Sequence, residues 1–302
     1  MSQVSEERSR RVGVLFALGA YLSWGLVPIY WRALGPIAPF ELLAHRVLWS
    51  LALGTIALLL LRRLGAALGL LRSRRTALTL VATTCLIGAN WVVFLLAVQT
   101  GRLLHASLGY YVSPLASVLL AVVILRERLR PAQMLAFALA AIAVVVLVVA
   151  AKVVPWIAVV LALSFAVYGL LRKIAPVDAL SGLFLETLLL APLAATYLLV
   201  RARTTGLHGA TPRDLAILAL SGPVTAIPLL FYTGAARRLP LSSVGFFQYL
   251  SPTSQFILAV VVFGEPATRT HLVAFGFIWA SLVVFVADAR RAAPLPEARA
   301  TE

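Results

Sequence analysis

Charged residues and cysteine are scarce in this sequence of 302 residues. Charged side chains make up 12% of the chain, against about 25% in soluble domains, which excludes a water-soluble globular fold. The single cysteine, Cys85, excludes an intramolecular disulfide and a cysteine-based metal site. Lysine occurs only as Lys152 and Lys173, so arginine supplies most of the positive side of a net charge of +15.

Motifs of catalysis and cofactor binding are also missing. The sequence has no glycine-rich phosphate loop, no ATP-binding motif and no serine-hydrolase elbow. Its four histidines are scattered without metal-ligand spacing. We therefore predict no catalytic residue, no metal site and no cofactor. The basic residues lie in short gaps between apolar runs, which is typical of membrane-protein loops, so we expect no nucleic-acid partner.

Long apolar runs dominate what remains. Hydrophobic residues are 62% of the chain, and a membrane-crossing helix takes about 20 mostly apolar residues. The runs are continuously apolar, whereas the strands of a membrane β-barrel alternate. The sequence thus predicts an all-α integral membrane protein with ten transmembrane helices. The predicted spans are 12–31, 41–61, 77–99, 104–124, 132–150, 154–171, 179–200, 214–234, 242–263 and 270–288.

The basic residues also predict an orientation in the membrane. With ten spans and both termini in the cytoplasm, eighteen Lys and Arg residues fall in cytoplasmic segments and seven in external ones, while Arg46 lies within a span. Cytoplasmic loops collect Lys and Arg. We therefore expect a multi-pass protein of the bacterial plasma (inner) membrane, with cytoplasmic tails over 1–11 and 289–302.

An internal repeat divides the chain into two halves, 12–150 and 154–288. A shift of 138 residues places the Tyr-x-Ser-Pro sequence at 111–114 on the same pattern at 249–252, and Glu127 on Glu265. Each half has five spans, an odd number, so the second half enters the membrane upside down. Inverted repeats of this kind recur in transporters, with the substrate near the midplane. Ancient duplication retained only for packing is the alternative.

The repeat pattern resembles the EamA branch of the drug/metabolite transporter superfamily over nearly the whole chain. The residues that carry the resemblance are the proline in the fourth helix of each half and the glutamate that follows that helix. Finer motifs are similar to the RarD-like subgroup, whose members are called chloramphenicol-sensitive proteins and are regarded as permeases. The resemblance implies a permease but no substrate, because that of the family is not settled. These motifs are His45–Ser50, Gly88–Trp91, Ala106–Tyr110, Tyr168–Lys173 and Gly245–Tyr249.

Ionisable residues inside spans are the first site candidates, because burying a charge in the bilayer costs about 2.5–3.5 kcal/mol on insertion scales. Arg46 either binds an anionic group of a substrate or extends to the interface. Glu186, in span seven, is a candidate for proton coupling. His45 is a second such candidate, although Glu41 lies one turn away and a structural pair is the alternative.

Polar and aromatic residues within spans complete the predicted cavity. Asn90 either lines it or forms an interhelical hydrogen bond. Trp24 and Tyr168 each precede a glycine, an arrangement that suits an organic solute or simple packing. Gln248 and Gln255 lie two turns apart on one helix face. The other expected lining residues are Tyr110, Tyr111 and Tyr249. By contrast, Trp31, Trp91 and Trp156 are typical of interface anchors.

Prolines within spans predict kinks, because each removes a backbone hydrogen bond. Pro114 and Pro252 occupy matching positions in the two halves, and we expect them to act as matched hinges. Together these features predict a secondary transporter that moves a small organic metabolite or drug by alternating access. Its partners would be that solute and the lipid bilayer, with a homodimer left open. A non-transporting scaffold or receptor, and an enzyme acting on lipid-linked substrates, are the alternatives.

Overall fold

The computed structural model describes residues 3–34, 37–100, 102–152, 156–204, 211–264 and 266–291. Glu265, most of the C-terminal tail and the histidine at 208 lie outside these ranges. Ten helices within them are long and apolar enough to cross a membrane, which confirms the predicted number of spans. The described residues form an all-helical fold.

Five spans belong to the first half and five to the second. In the first half they are α1 (Gln3–Leu34), α2 (Pro39–Leu60), α4 (Arg74–Gln99), α5 (Leu103–Val123) and α6 (Pro131–Ala151), with the short helix α3 (Leu64–Gly69) in the basic loop after α2. In the second half they are α7 (Trp156–Ile174), α8 (Ala179–Thr204), α9 (Pro212–Ala236), the broken span α10 (Leu241–Gln248) and α11 (Leu250–Ile257), and α12 (Arg269–Arg291).

Local sequence explains where several spans begin. Pro39, Pro131 and Pro212 each occupy the first turn of a helix, where the missing N–H is not needed. The hydroxyl of Thr211 caps α9 by accepting a 3.2 Å hydrogen bond from the backbone N–H of Asp214. Long apolar helices then follow, since every backbone polar group must be satisfied within the bilayer.

Helix packing follows the internal repeat. In the repeat, α1 corresponds to α7 and α4 corresponds to α9. The contact between α1 and α9 should therefore have a counterpart between α7 and α4, and both contacts occur. The contact of α2 with α9 likewise has a counterpart between α8 and α4. The pairs α2–α8, α6–α12 and α5–α10 join counterparts directly. The bundle is therefore built from two inverted five-helix repeats around a pseudo-two-fold axis.

Two ion pairs hold α2 against α8 at opposite ends of the bundle. Glu41 pairs with Arg201 at 2.7 Å, and Asp178 pairs with Arg63 at 3.4 Å. A shift of 138 residues places Arg63 on Arg201 and Glu41 one position from Asp178. The two pairs are thus repeat counterparts. We name the ends of the bundle after them, the Glu41 end and the Asp178 end.

Candidate functional site

A cavity of about 170 Å³ lies between the two repeats. It extends from the middle of the bundle towards the Glu41 end, since four of the helices line it with the second halves of α1 and α4 and the first halves of α2 and α5. Both halves contribute to its walls. The lining includes Tyr21, Trp24, Tyr30, Trp31, Arg46, Asn90, Trp91, Phe94, Tyr110, Ser113, Phe165, Thr225, Gln248, Ser251, Pro252 and Gln255.

Six of the predicted cavity residues meet in this lining. They are Trp24, Arg46, Asn90, Tyr110, Gln248 and Gln255, joined by the predicted hinge Pro252. The other predicted site residues lie outside it. They are His45, Tyr111, Pro114, Tyr168, Glu186 and Tyr249.

Arg46 is held in place by α9 and α4. Its Nε donates a 2.9 Å hydrogen bond to the hydroxyl of Thr225, and its guanidinium lies 5.2 Å from the ring centre of Trp91. The phenols of Tyr30 and Tyr110 are near enough to interact with it electrostatically. Its positive charge therefore faces the cavity, and the side chains that hold it are neutral.

The amide side chains in the lining each bind a neighbouring helix. Asn90 donates to the carbonyl of Leu161 and the hydroxyl of Ser164, both at 2.8 Å, so it lines the cavity and also links α4 to α7. Gln255 donates to the carbonyl of Trp24 at 3.2 Å. Gln248 donates to Ser117 at 3.1 Å, while its Oε1 is buried without a hydrogen-bond partner.

Aromatic rings close the cavity in the middle of the bundle. Phe165 lies 4.9 Å from Tyr232 and 5.9 Å from Trp24, measured between ring centres. Tyr21 packs against Trp24 at 5.5 Å and against Tyr232 at 6.2 Å. The hydroxyl of Tyr232 is buried without a hydrogen-bond partner. This aromatic floor separates the cavity from the Asp178 end.

A buried polar network lies beneath the aromatic floor. Tyr168 donates a 3.1 Å hydrogen bond to Glu186, whose other carboxylate oxygen lies 3.7 Å from Nε of Arg172. Arg172 is fully buried and also donates to the carbonyls of Asp178 and Ala179, each at 3.3 Å. A Cβ at position 182 would lie 1.8 Å from the guanidinium of Arg172, so only glycine fits there.

The predicted hinge prolines differ in their surroundings. The ninth span breaks between α10 and α11 at Tyr249, three residues before Pro252, and continues as a π-helix over Leu258–Val262. Helix α5 runs without interruption through Pro114. Tyr111 packs against Phe275 at 5.8 Å, which directs its ring away from the cavity.

His45 lies one turn from Glu41, near the Glu41 end of α2. The carboxylate of Glu41 is fully buried and forms its ion pair with Arg201. Nε2 of His45 is buried without a hydrogen-bond partner. The arrangement favours a structural role for Glu41 and leaves His45 outside the cavity lining.

Polar contacts join the helices at the Asp178 end. Glu127 accepts hydrogen bonds from the backbone N–H groups of Leu241 and Ser242, at 2.7 and 3.0 Å, and from the Ser242 hydroxyl at 2.6 Å. Lys173 donates to the carbonyls of Ala236 and Leu239. These contacts join the α5–α6 loop to the start of α10 and the end of α7 to the α9–α10 loop. The cavity is therefore closed at this end.

Asp178, in the loop before α8, belongs to the same end. Burial raises the pKa of its carboxyl group, but hydrogen bonds from Ser181 and Leu180 and the charge of Arg63 outweigh that effect, so the net pKa is below the usual value. A backbone hydrogen bond of 3.1 Å from Ser181 caps the first turn of α8.

Sequence reasoning missed several residues around the cavity. Trp31 and Trp91, expected to anchor the interface, also line the cavity. Arg172 directly follows the predicted span 154–171, where a cytoplasmic loop is expected, but its side chain is buried against Glu186. Its position one turn after Tyr168 on the same helix face is the signal that could have indicated it. Thr225 gave no such signal.

Among the described residues, no three His, Cys, Asp or Glu side chains cluster closely enough to hold a metal ion. The one charged side chain among the described lining residues is Arg46. The arrangement can bind an organic solute through one cation, neutral hydrogen-bonding groups and aromatic faces.

Comparison with known proteins gives concordant matches. The model of a family described as the EamA-like transporter family matches residues 11–149 and again 154–287. An uncharacterized transporter of Vibrio cholerae is 44% identical over 97% of this chain and 97% of its own length. Protein RarD of Escherichia coli is 41% identical over 94% of this chain and 97% of its own length.

A solved structure also matches the fold. It is a crystal structure of a protein 23% identical to this chain, and its TM-score is 0.68. The match covers 94% of this chain and 100% of that chain. At this level of identity the likeness concerns the architecture alone.

Proposed function

Because the chain belongs to the EamA-like transporter family, we propose that it is a secondary transporter that moves a small organic metabolite or drug across the plasma membrane by alternating access. The observation that carries the proposal is the cavity between the two repeats, which is closed at the Asp178 end by polar contacts and an aromatic floor. A pocket at a repeat interface is where inverted-repeat transporters bind their substrates.

The pseudo-symmetry suggests how such a cavity would change sides. The ion pairs Glu41–Arg201 and Asp178–Arg63 hold α2 to α8 at both ends, so this helix pair would stay together in either state. Glu127 and Lys173 form hydrogen bonds that link other helices at the Asp178 end. Releasing these contacts would open a path from the cavity to the Asp178 end, while the cavity closes at the Glu41 end. This motion is the rocking expected of inverted repeats.

The orientation follows from the charge bias of the loops. With both termini in the cytoplasm, the Asp178 end faces the cytoplasm and the Glu41 end faces the outside. The structure then corresponds to an outward-facing state. Trp31 and Tyr110 line the outer part of the cavity, and each is 39% exposed, consistent with access from that side.

Glu186 and Arg172 lie on the inward side of the aromatic floor. They would line the path once the Asp178 end opens, and Glu186 would then exchange Arg172 for water or a proton. This arrangement keeps Glu186 as the candidate for proton coupling. The sequence contains no ATPase motif, so an ion gradient or solute exchange would supply the driving force.

Solute counterflow in proteoliposomes tests the proposal. A thermal-shift screen of the purified protein against metabolites and antibiotics first identifies solutes that stabilise it. Proteoliposomes loaded with an unlabelled stabilising solute should then accumulate the labelled form above its external concentration. If no stabilising solute exchanges in either direction, the transporter proposal is wrong.

A further inference from the structure

We propose that the substrate is a small organic monoanion: its carboxylate binds Arg46, an aromatic or apolar body fills the cavity, and a neutral hydrogen-bond donor points to Gln248. The proposal rests on the proposed transport function and specifies the solute. Its basis is the imbalance of charge and hydrogen-bonding groups in the lining.

The charge imbalance comes from Arg46. Among the described lining residues it is the one charged side chain, and its Nε is occupied by the neutral hydroxyl of Thr225. The described structure places no carboxylate within ion-pair distance of its guanidinium. A cation in a bilayer is costly without a counter-charge, so the cavity favours a ligand that brings one negative charge. Arginine matches a carboxylate through two parallel hydrogen bonds.

The same imbalance disfavours two other solute classes. An organic cation would meet Arg46 with no acidic side chain among the described lining residues to offset the repulsion. A dianion would leave its second charge without a partner. A carboxylate with an otherwise neutral body fits the balance of charges.

The second polar anchor is Gln248. Its Nε2 donates a hydrogen bond to the hydroxyl of Ser117, and its Oε1 is buried without a partner. The residue as a whole is 5% exposed. The hydroxyl of Tyr21 is buried next to Gln248 and interacts with its side chain. A buried polar atom without a partner is costly, so the Gln248 oxygen is expected to bind a ligand group. A ligand hydroxyl or amide N–H can satisfy the Gln248 oxygen.

The walls between these anchors are apolar and mostly aromatic. Trp24, Phe94, Trp91 and Phe165 present ring faces, which bind an aromatic or compact apolar body. The cavity volume of about 170 Å³ is below the 300–1,000 Å³ usual for drug-sized ligands. The size therefore favours a small metabolite over a large drug.

Binding of matched probes to the full-length protein in nanodiscs tests the charge requirement. The probes are 4-hydroxyphenylacetate, its neutral methyl ester and the cation tyramine, which share a ring and a hydroxyl donor. At about pH 7 the acid is ionised. We expect 4-hydroxyphenylacetate to raise the melting temperature and to bind at least about 10-fold more tightly than the ester, the range for a charge-assisted hydrogen bond.

Variants assign each end of the ligand to its partner. Arg46→Gln should abolish the preference for the acid over the ester, and Arg46→Lys should keep part of it. Arg32→Gln removes the same charge near the same end but outside the cavity, where Arg32 packs on Phe263, and should leave the preference intact. Gln248→Leu should abolish the preference for 4-hydroxyphenylacetate over phenylacetate, which lacks the hydroxyl.

Three outcomes would overturn the proposal. They are equal or tighter binding of the ester or tyramine to the wild-type protein, acid binding that is unchanged by Arg46→Gln, and no binding of the acid at millimolar concentrations. The ester comparison needs no variant, so a poorly folded Arg46→Gln protein does not block the test. If other solutes stabilise the protein and exchange in counterflow, transport stands and only the monoanion assignment fails.

Discussion

The phenol of Tyr249 donates a 3.3 Å hydrogen bond to the backbone carbonyl of Tyr111, its counterpart 138 residues earlier in the other repeat. Equivalent positions can touch only near the axis that relates the two halves. The pseudo-two-fold axis therefore passes between α5 and the α10–α11 span. The cavity lies beside this axis, so small movements of these two helices change its shape.

Pro252→Ala tests whether the break in the ninth span is needed for transport. Proline at 252 has no N–H for the carbonyl of Gln248, and α10 ends at that residue. Alanine restores the donor, so we expect a continuous helix, slower counterflow and little change in solute affinity. Pro114→Ala is the matched control and should have a smaller effect, because α5 is unbroken. Equal slowing by both variants would instead indicate matched hinges.

Glu186→Gln should strongly destabilise the protein. Arg172 is fully buried, and losing its counter-charge costs about 3–5 kcal/mol by comparison with other buried pairs. The melting temperature should therefore fall clearly in the single variant. Replacing both residues, with Glu186→Gln and Arg172→Met, should recover much of the loss. Additive losses from the two substitutions would contradict a direct pairing.

Gly222→Ala should destabilise the contact between α2 and α9. A Cβ at this position would lie 2.6 Å from the backbone carbonyl carbon of Trp49, which cannot move aside as a side chain can. Overpacking of this kind costs about 1–3 kcal/mol. Gly276→Ala on α12 is the control, since a Cβ there meets nothing within 4 Å. The control should be neutral or slightly stabilising in thermal unfolding.

The contribution of Asp178 to stability should depend on pH at the acid end of the scale. Its pKa is lower in the folded protein than in the unfolded chain, so the stabilisation is present above the unfolded value of about 3.9. It is lost as the pH falls through the folded value. Melting temperatures of the wild type and Asp178→Asn should therefore differ by a constant amount above about pH 5 and converge in stronger acid.

Arg63→Gln provides the control for that series. It removes the ion pair but keeps the Ser181 hydrogen bond that caps α8. Because the pair is partly exposed, its loss should cost less than that of Asp178 itself. A difference between the wild type and Asp178→Asn that persists undiminished in acid would show that the carboxylate charge is irrelevant.

Sequence alone predicted the ten spans and the repeat, since the bilayer imposes span length and the proline motif recurs at one offset. It could not separate Tyr110, which lines the cavity, from Tyr111 beside it. Membrane helices are apolar on the lipid face and on the packed face alike, so hydrophobic periodicity does not indicate which side is inward. The pairing of Glu186 with Arg172 joins separate helices and required the structure.

Alternating access is tested best by finding from which side of the membrane the cavity can be reached. Ser113→Cys, in a Cys85→Ala background, places one thiol in the lining. Impermeant thiol reagents are then applied to right-side-out and inside-out vesicles, with the buried Ala140→Cys as an unreactive control. We expect labelling from the outside, shifting to the inside when Glu127→Gln weakens the closed end. Labelling from the inside alone while Glu127 is intact, or from neither side, would contradict this expectation.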